Sequence, residues 1–519
     1  MNMMRLLFKK LTLACLAMGS VSAVAQLPPV LSNKLAAAGL NESQVSVLIK
    51  PLAQGNYEVM HRTSEPRLPA STQKLVTTYV GLDTMGADYR WATQVYQQGA
   101  RVNNTLLGDL IIKGNGDPSF TYNDLRVLLQ RIYASGIHHV QGDIIIDNHV
   151  FSNVSYDIAA FDGQPQKWYN AAPNALLINF GTVEIDVLAD IRSSTALVQV
   201  LPTLADFEAP TTASAGAGGC GKKHMPWVTL TQTALTMGRV ANNCGRFSHQ
   251  VTFDDANKLA IKSIKGEWQK IQPDFQGDVR LITQQELKRV NLNYPILTQF
   301  SRPLSEQIYQ INQDSNNVMT EQLALSIPLA KGEMVSDYPK AFFAIDQWWK
   351  ANLTTLPPVI TRASGLCRDC AITPESMASL LTHAYHSDKF NYYLESLPNV
   401  GMTGTMKSYA LRNPNGPAIA RSWVKTGTLD NVKAIAGYAK DLSDQWYVVI
   451  AIINAPMAGA NTKSYIFLDG VLNTITSHRS LPLIQSEQVE QTQMGSQPNQ
   501  GVPNMTPTSI QNNAVMGDE

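Results

Sequence analysis

Cysteine is scarce, charge is balanced, and no long apolar run interrupts the body of the chain. Lys+Arg and Asp+Glu stand at 41 each. No global basic field argues for a nucleic-acid partner. No internal run reaches the ~18–20 apolar residues of a membrane-spanning helix. The nine histidines are scattered, and no His-Glu-x-x-His spacing argues for zinc. The motifs call for neither a metal nor another cofactor. From Ser480 to Glu519 there is no Lys or Arg, and Gln, Asn, Pro and Ser dominate. That segment cannot bury enough apolar surface to offset its ordering entropy, so residues 480–519 are expected to form a disordered tail.

What remains is an ordinary globular composition, 44% hydrophobic and 16% charged, over 519 residues. This length predicts two or three domains. The N-terminus has the form of a signal peptide. Arg5, Lys9 and Lys10 precede an apolar stretch from Leu11 to Val21, and Ala23-Val24-Ala25 fits the small-x-small cleavage rule. Residues 1–25 are therefore expected to be removed, leaving an exported protein without a transmembrane span. Thr12-Leu13-Ala14 is a poor lipobox for Cys15. Export permits disulfides, and four cysteines follow residue 25. Cys220–Cys244 is the favoured pair, tying off a flexible stretch from Ala213 to Gly219. Cys367-Arg368-Asp369-Cys370 lacks the βαβ context of a redox motif. It is expected to be a local disulfide or two free thiols.

Residues 45–49 and 57–61 alternate around Gln54-Gly55-Asn56, which predicts a hairpin. An apolar helix follows Pro69. Strands are expected at 91–96, 105–112 and 140–147, with a turn at Gly114–Pro118 and a helix at 123–134. Strand-like runs, including 176–188 and 197–202, dominate to about Thr283. Helical patterns return at 304–314, 318–329, 338–353 and 374–387. Strands at 420–426, 433–439 and 445–454 and a helix at 466–477 close the ordered chain. The simplest architecture is an α/β domain built from both chain ends around a β-rich insert.

Ser71-Thr72-Gln73-Lys74 opens the apolar helix. Residues three apart share a helical face, so serine and lysine stand side by side. A serine hydroxyl needs a base to become a nucleophile. A lysine can serve once burial or a neighbouring cation lowers its pKa. The same four-residue pattern recurs at Ser422–Lys425, but in a strand, where residues three apart face opposite ways. Two further stretches complete a set: Ser315-Asn316-Asn317 between two helices, and Lys425-Thr426-Gly427-Thr428 in a strand. Singly, a serine at a helix start is most often an N-cap. The three together, in this order, match the motif set of penicillin-binding proteins and related β-lactamases.

The chain resembles that family, and within it the class C low-molecular-mass penicillin-binding proteins, the D-alanyl-D-alanine carboxypeptidase/endopeptidases of the penicillin-binding protein 4 type. A large insert separates Ser71 from Ser315. Gly108-Asp109-Leu110, Gly114–Pro118, Tyr169–Pro173, Ser364-Gly365-Leu366 and Gly404-Thr405-Met406 are also similar. The similarity runs from about residue 30 to 475. Departures are Ala363, Cys367, Asn316 and Thr403, where the family favours Asp, Ser, Asp and Asp.

The resemblance implies an α/β fold: a penicillin-binding-protein/β-lactamase-like transpeptidase domain, an antiparallel sheet with helices, interrupted by a large β-rich insert. Its parts are then 26–90 and 285–479, with the insert at 91–284, in two subdomains. It implies an acyl-enzyme on Ser71 with Lys74 as base, Ser315 as proton relay and Asn317 orienting Lys74 or substrate. Lys425, Thr426, Gly427 and Thr428 are expected to bind substrate, together with Arg368, Tyr169 and Asp162. Backbone N–H groups of Ser71 and Thr428 are the oxyanion donors. The implied partners are peptidoglycan peptides ending in D-Ala-D-Ala, with β-lactams as covalent inhibitors, in the periplasm. A β-lactamase on the same fold and a non-catalytic penicillin sensor are the alternatives.

Overall fold

A computed structural model describes residues 26–53, 57–221 and 224–480. The leader and the tail lie outside the described residues, apart from Ser480, and so do the hairpin tip at 54–56 and residues 222–223. The chain enters through helix α1 (Pro29–Ala38), strands β1 (Val45–Pro51) and β2 (Val59–His61), a 3₁₀ turn (Ala70–Gln73) and α2 (Lys74–Met85). It leaves through β16 (Ser422–Leu429), β17 (Val432–Lys440), β18 (Trp446–Asn454) and α12 (Ser464–Thr476). These two ends form one antiparallel sheet, ordered β16-β17-β18-β1-β2. Val45 pairs with Ile453 and Ile49 with Val449, so the chain's first strand docks on its last.

Both faces of this sheet are covered, which explains why its strands are almost continuously apolar. Val449, Ala451 and Ile453 join Leu31, Leu35, Phe467 and Val471 of the two terminal helices. Val448, Ile450 and Ile452 pack the other way, against Leu75, Val76, Tyr79 and the later helices. This is the period of two expected of a strand. Those later helices are α6 (Leu304–Asp314), α7 (Asn317–Ala330), α8 (Tyr338–Asn352), α9 (Pro374–Tyr385), α10 (Phe390–Ser396) and α11 (Ser408–Arg412). α2 lies in the middle of them. Its Leu75, Val76, Tyr79, Val80 and Leu82 are fully buried, each contributing about 1.5–3 kcal/mol relative to exposure. A Cβ on Gly81 would come within 2.9 Å of the Leu323 side chain. That glycine lets α2 and α7 approach closely.

The intervening chain makes two more large sheets. The first holds β3 (Ala92–Val102), β4 (Thr105–Lys113), β5 (His139–Val140), β6 (Ile144–Asp147), β14 (Val279–Leu281) and β15 (Leu297–Phe300). β15 pairs with β3, so this sheet draws on residues beyond 284. α3 (Tyr122–Ala134) and α4 (Ala256–Trp268) bury Leu128, Ile132, Ile264 and Trp268 with its strands. The second sheet is ordered β12-β9-β8-β7-β13. It comprises β7 (Thr182–Leu188), β8 (Thr195–Leu201), β9 (Thr212–Gly216), β12 (Val240–Ala241) and β13 (Arg246–Thr252). β10 (Val228–Leu230) and β11 (Leu235–Met237) form a separate ribbon, and α5 (Gln284–Leu287) is a single turn.

Four local expectations change. The run 140–147 is two strands, because the main chain turns at Gly142, where a Cβ would meet Asp109 Oδ1 at 2.3 Å. In 176–188 only β7 is strand; Asn179–Gly181 forms a 3₁₀ turn with Phe180 at φ 59°. The Ala213–Gly219 stretch begins as β9, paired with β8 and β12. Finally α4 interrupts the β-rich run, capped by Asp255, which accepts from the N–H groups of Asn257 and Lys258. Both disulfides form, Cys220–Cys244 and Cys367–Cys370.

Candidate active site

Ser71 lies in the 3₁₀ turn and Lys74 begins α2. Lys74 Nζ lies 3.0 Å from Ser71 Oγ, 2.7 Å from Asn317 Oδ1 and 2.6 Å from the Ser364 carbonyl oxygen. The last two partners can only accept. A neutral amine donates its two N–H bonds to them and turns its lone pair to the serine hydroxyl. Burial, and then the charge of Lys425, holds the Lys74 pKa well below its ordinary value, against an opposing pull from Glu321. Lys74 thus stands within hydrogen-bond reach of the Ser71 hydroxyl with its charged form disfavoured.

Asn317 reaches Lys74 because of a corner between α6 and α7. Ser315 ends α6 in the left-handed region, at φ 58° and ψ 41°, a strained conformation for a non-glycine residue. Asn316, not Ser315, is the N-cap of α7, accepting from the Met319 N–H. Asn317 Nδ2 donates to the Tyr169 carbonyl at 2.9 Å, which fixes the amide with its oxygen towards Lys74. Ser315 Oγ accepts from Lys425 Nζ at 2.9 Å. Burial lowers the Lys425 pKa to about 7. Two cationic lysines do not share this enclosed space comfortably, so the site holds one of these protons more readily than two.

Lys425 comes from β16, the edge strand next to the serine turn. A Cβ on Gly427 would lie 2.7 Å from the Pro69 carbonyl and 3.3 Å from Ser71 N. Glycine at 427 therefore sets how closely the strand approaches the nucleophile. The Val424 N–H leaves the sheet edge to bond Pro398 O. By alternation, the Thr428 N–H faces the same open edge. Thr426 Oγ1 bonds Thr405 Oγ1 at 2.9 Å, which ties Gly404-Thr405-Met406 to the strand.

Glu321 was not legible as a site residue. It lies one turn beyond Asn317 on α7 and is 1% exposed. Its carboxylate accepts from the N–H groups of Ala363 and Ser364, at 3.2 and 2.9 Å, and so aims the Ser364 carbonyl at Lys74. Gly365 is required beside it: φ is +78°, and a Cβ would stand 2.0 Å from the Ala70 carbonyl. The i, i+4 spacing of Asn317 and Glu321 was the available signal. The Cys367–Cys370 disulfide lies just past this loop, and with both sulfurs so bonded Asp369 is left without thiolate partners for a metal.

Tyr169, Asp162 and Arg368 form a rim. Tyr169 donates its hydroxyl to Asp162 Oδ2 at 2.8 Å, and Asn170 Nδ2 donates to Oδ1. Burial would raise the Asp162 pKa, but these hydrogen bonds hold it below the usual value. Arg368 stacks over Phe161, donates to its carbonyl and lies 3.8 Å from Asp430 at the end of β16. Tyr169 reaches the lysine network through its backbone only. Asp162 and Arg368 make no hydrogen bond to Ser71, Lys74, Ser315 or Lys425 among the described residues. The stretches 114–118 and 169–174 turn out to be seams: Gln322 of α7 bonds the backbone of Asn174 in both directions and the Asp117 carbonyl.

An antiparallel sheet that brings a lysine-bearing edge strand against a lysine-flanked serine is the fold of the penicillin-binding proteins and serine β-lactamases. The chain belongs to the D-Ala-D-Ala carboxypeptidase 3 (S13) family, whose model matches residues 29–468. It is 21% identical over 425 residues to the D-alanyl-D-alanine carboxypeptidase DacB of Haemophilus influenzae, covering 80% of this chain and 86% of that one. It is 24% identical over 406 residues to a D-alanyl-D-alanine carboxypeptidase of Actinomadura, covering 76% and 74%. The crystal structure of penicillin binding protein 4 from Haemophilus influenzae superposes with a TM-score of 0.70 at 20% identity, over 87% of this chain and all of that one. That likeness establishes the fold.

Proposed function

We propose that the chain is a serine-type D-alanyl-D-alanine carboxypeptidase and endopeptidase that works through an acyl-enzyme on Ser71. Lys74 takes the hydroxyl proton as Ser71 Oγ bonds to the carbonyl carbon of the penultimate D-alanine. The N–H groups of Ser71 and Thr428 stabilise the oxyanion, each worth about 10²–10³ in rate. The peptide C–N bond then breaks. A proton reaches the leaving amine through Ser315, and Lys425 with the Thr426 and Thr428 hydroxyls holds the terminal carboxylate. Water attacks the ester by the same route in reverse, returning Ser71. Endopeptidase action on a cross-link differs only in the amine that leaves. β-Lactams acylate Ser71 as substrate mimics.

The observation that carries this reading is the Lys74 environment: a buried amine whose two acceptor-only partners leave its lone pair for Ser71. Arg368, Tyr169 and Asp162 are assigned to substrate side-chain binding: the Tyr169–Asp162 pair comes from the insert, and Arg368 meets it by donating to the Phe161 carbonyl. A periplasmic location fits the leader-like residues 1–25, and no described helix is long and apolar enough to cross a membrane.

Intact mass of the protein, followed over time with penicillin, tests the reading together with D-alanine release from a D-Ala-D-Ala peptide. A lasting adduct that Ser71→Ala abolishes, with D-alanine released, is expected. Rapid penicillin turnover points instead to a β-lactamase. Neither adduct nor D-alanine would leave a non-catalytic protein.

A further inference from the structure

A cavity of about 1020 Å³ opens between residues 164–169, residues 225–228 and the edge strand β13. Tyr169 is among its lining residues; its carbonyl accepts from Asn317 and its hydroxyl donates to Asp162. The cavity therefore shares Tyr169 with the rim of the reaction site.

Its lining combines broad aromatic faces with hydrogen-bonding groups. Trp168 and Trp227 are 39% and 63% exposed. Large aromatic side chains left open to water beside a catalytic site mark a binding surface. Both are held in place. A Cβ on Gly238 would lie 2.4 Å from Trp227 Nε1, so the indole rests on bare backbone, and the Gly238 N–H donates to the Trp227 carbonyl. Trp168 meets the Tyr169 ring edge-on, with centroids 6.0 Å apart. The walls are pinned as well. Thr252 donates its N–H to Gln166 O and its hydroxyl to Lys167 O, while Gln166 Nε2 donates to Leu230 O.

At Val251 β13 bridges antiparallel to Lys167 of this wall, and the preceding Ser248, His249 and Gln250 line the cavity. Alternation sends the outward backbone groups of Ser248 and Gln250 the same way as that of Thr252. Burial and the nearby Lys167 ammonium lower the His249 pKa, which leaves a neutral imidazole. Flat apolar faces ringed by hydroxyl, amide and imidazole groups, with the Lys167 ammonium beside them, suit a pyranose, whose axial C–H face is apolar and whose rim carries hydroxyl and acetamido groups.

We propose that this groove binds the glycan strand bearing the stem peptide, N-acetylated sugar rings stacking on Trp168 and Trp227 while Ser248 and Gln250 bond their rim oxygens. The inference rests on the reading of Ser71 as a peptidoglycan peptidase, since only that substrate brings a sugar chain to the site.

Peptide-free chains of alternating N-acetylglucosamine and N-acetylmuramic acid, titrated into the full-length Ser71→Ala protein by calorimetry, test it directly. Saturable binding is expected, weakened about tenfold by adding Trp227→Ala or Gln250→Ala. In the Ser71-containing enzyme, Trp227→Ala lowers kcat/KM about tenfold on a glycan-linked pentapeptide and leaves the free pentapeptide unaffected. Absence of glycan binding, or binding that neither variant weakens, overturns the proposal. An equal loss on both substrates also overturns it, because the groove then serves the peptide or the fold. Glycan binding without D-alanine release from either substrate sustains the groove and removes the peptidase reading.

Discussion

The same four-residue pattern, serine followed three residues later by lysine, occurs at Ser71–Lys74 and at Ser422–Lys425, and the two regions treat it oppositely. At the start of α2 the pair meets, with 3.0 Å between Oγ and Nζ. In β16 the lysine turns away to Ser315, and the Ser422 hydroxyl is buried with no hydrogen-bond partner among the described residues. A helix brings residues i and i+3 to one face, whereas a strand sends them to opposite faces. One sequence signal thus yields a serine and lysine in hydrogen-bond contact in one place. In the other it yields a cation donated to a different element.

The strongest way to break the contrast is to remove the base that only the helical copy supplies. Lys74→Ala should lower kcat/KM for D-alanine release by roughly 10²–10⁴, the usual worth of a positioned general base. Acylation by penicillin, followed by intact mass, should slow in parallel. Retention of near-normal rates would transfer the base role elsewhere.

Lys425 comes next. Lys425→Met should cut kcat/KM about tenfold to a hundredfold on substrates with a terminal carboxylate, the worth of a hydrogen bond to a charged group. The same change should raise stability at neutral pH. The buried Lys425 has a folded-state pKa of about 7, below the ~10.4 of an unfolded chain. The folded state therefore binds fewer protons than the unfolded between these values, and stability rises with pH there. The penalty is full below about pH 7 and gone above the unfolded pKa. The urea midpoint of Lys425→Met should exceed that of the unaltered protein at pH 7, and the gap should close towards pH 10. A gap that widens with pH would contradict the assignment.

Glu321→Gln should have a smaller effect, about tenfold on kcat with little change in KM, since the residue acts through Ser364 and Lys74 and not on substrate. Glu321 pulls the Lys74 pKa upward. Its neutralisation should move the acid limb of the rate profile to lower pH. An unchanged profile would reduce Glu321 to a purely structural role.

The smallest effect belongs to the second serine. Ser422→Ala should leave kcat/KM within about twofold. Stability should hold or improve, because a buried hydroxyl without a partner is removed. Loss of acylation in this variant would erase the distinction between the two copies.

Most of the late helices and the strands of the central sheet were legible, because their apolar periods are long and their caps and turns are marked. The Ser71–Lys74 pair, the Ser315–Asn317 corner and the Lys-Thr-Gly strand were legible as sequence patterns, and the structure brings them together. α4 was not, although Leu259, Ala260, Ile264 and Trp268 keep a helical spacing; neighbouring strand-like runs drew the reading towards β. Glu321 was missed because a lone glutamate in an apolar helix has no local signature of its backbone partners, which lie more than forty residues away. The aromatic groove was missed for the same reason, since Trp168 and Trp227 come to line one cavity only when β13 is in place.

By itself the sequence determined the chemistry available to this protein: a serine and a lysine on one helical face, a polar corner between two helices, a lysine on an edge strand. Those assignments depend on periods of 3.6 and 2, which are properties of the local chain. Tertiary structure alone decided what makes the chemistry work. The Lys74 pKa falls because helices from distant parts of the chain exclude water around it while strand β16 carries Lys425 to its side. Desolvation and charge proximity exist only once the core has closed.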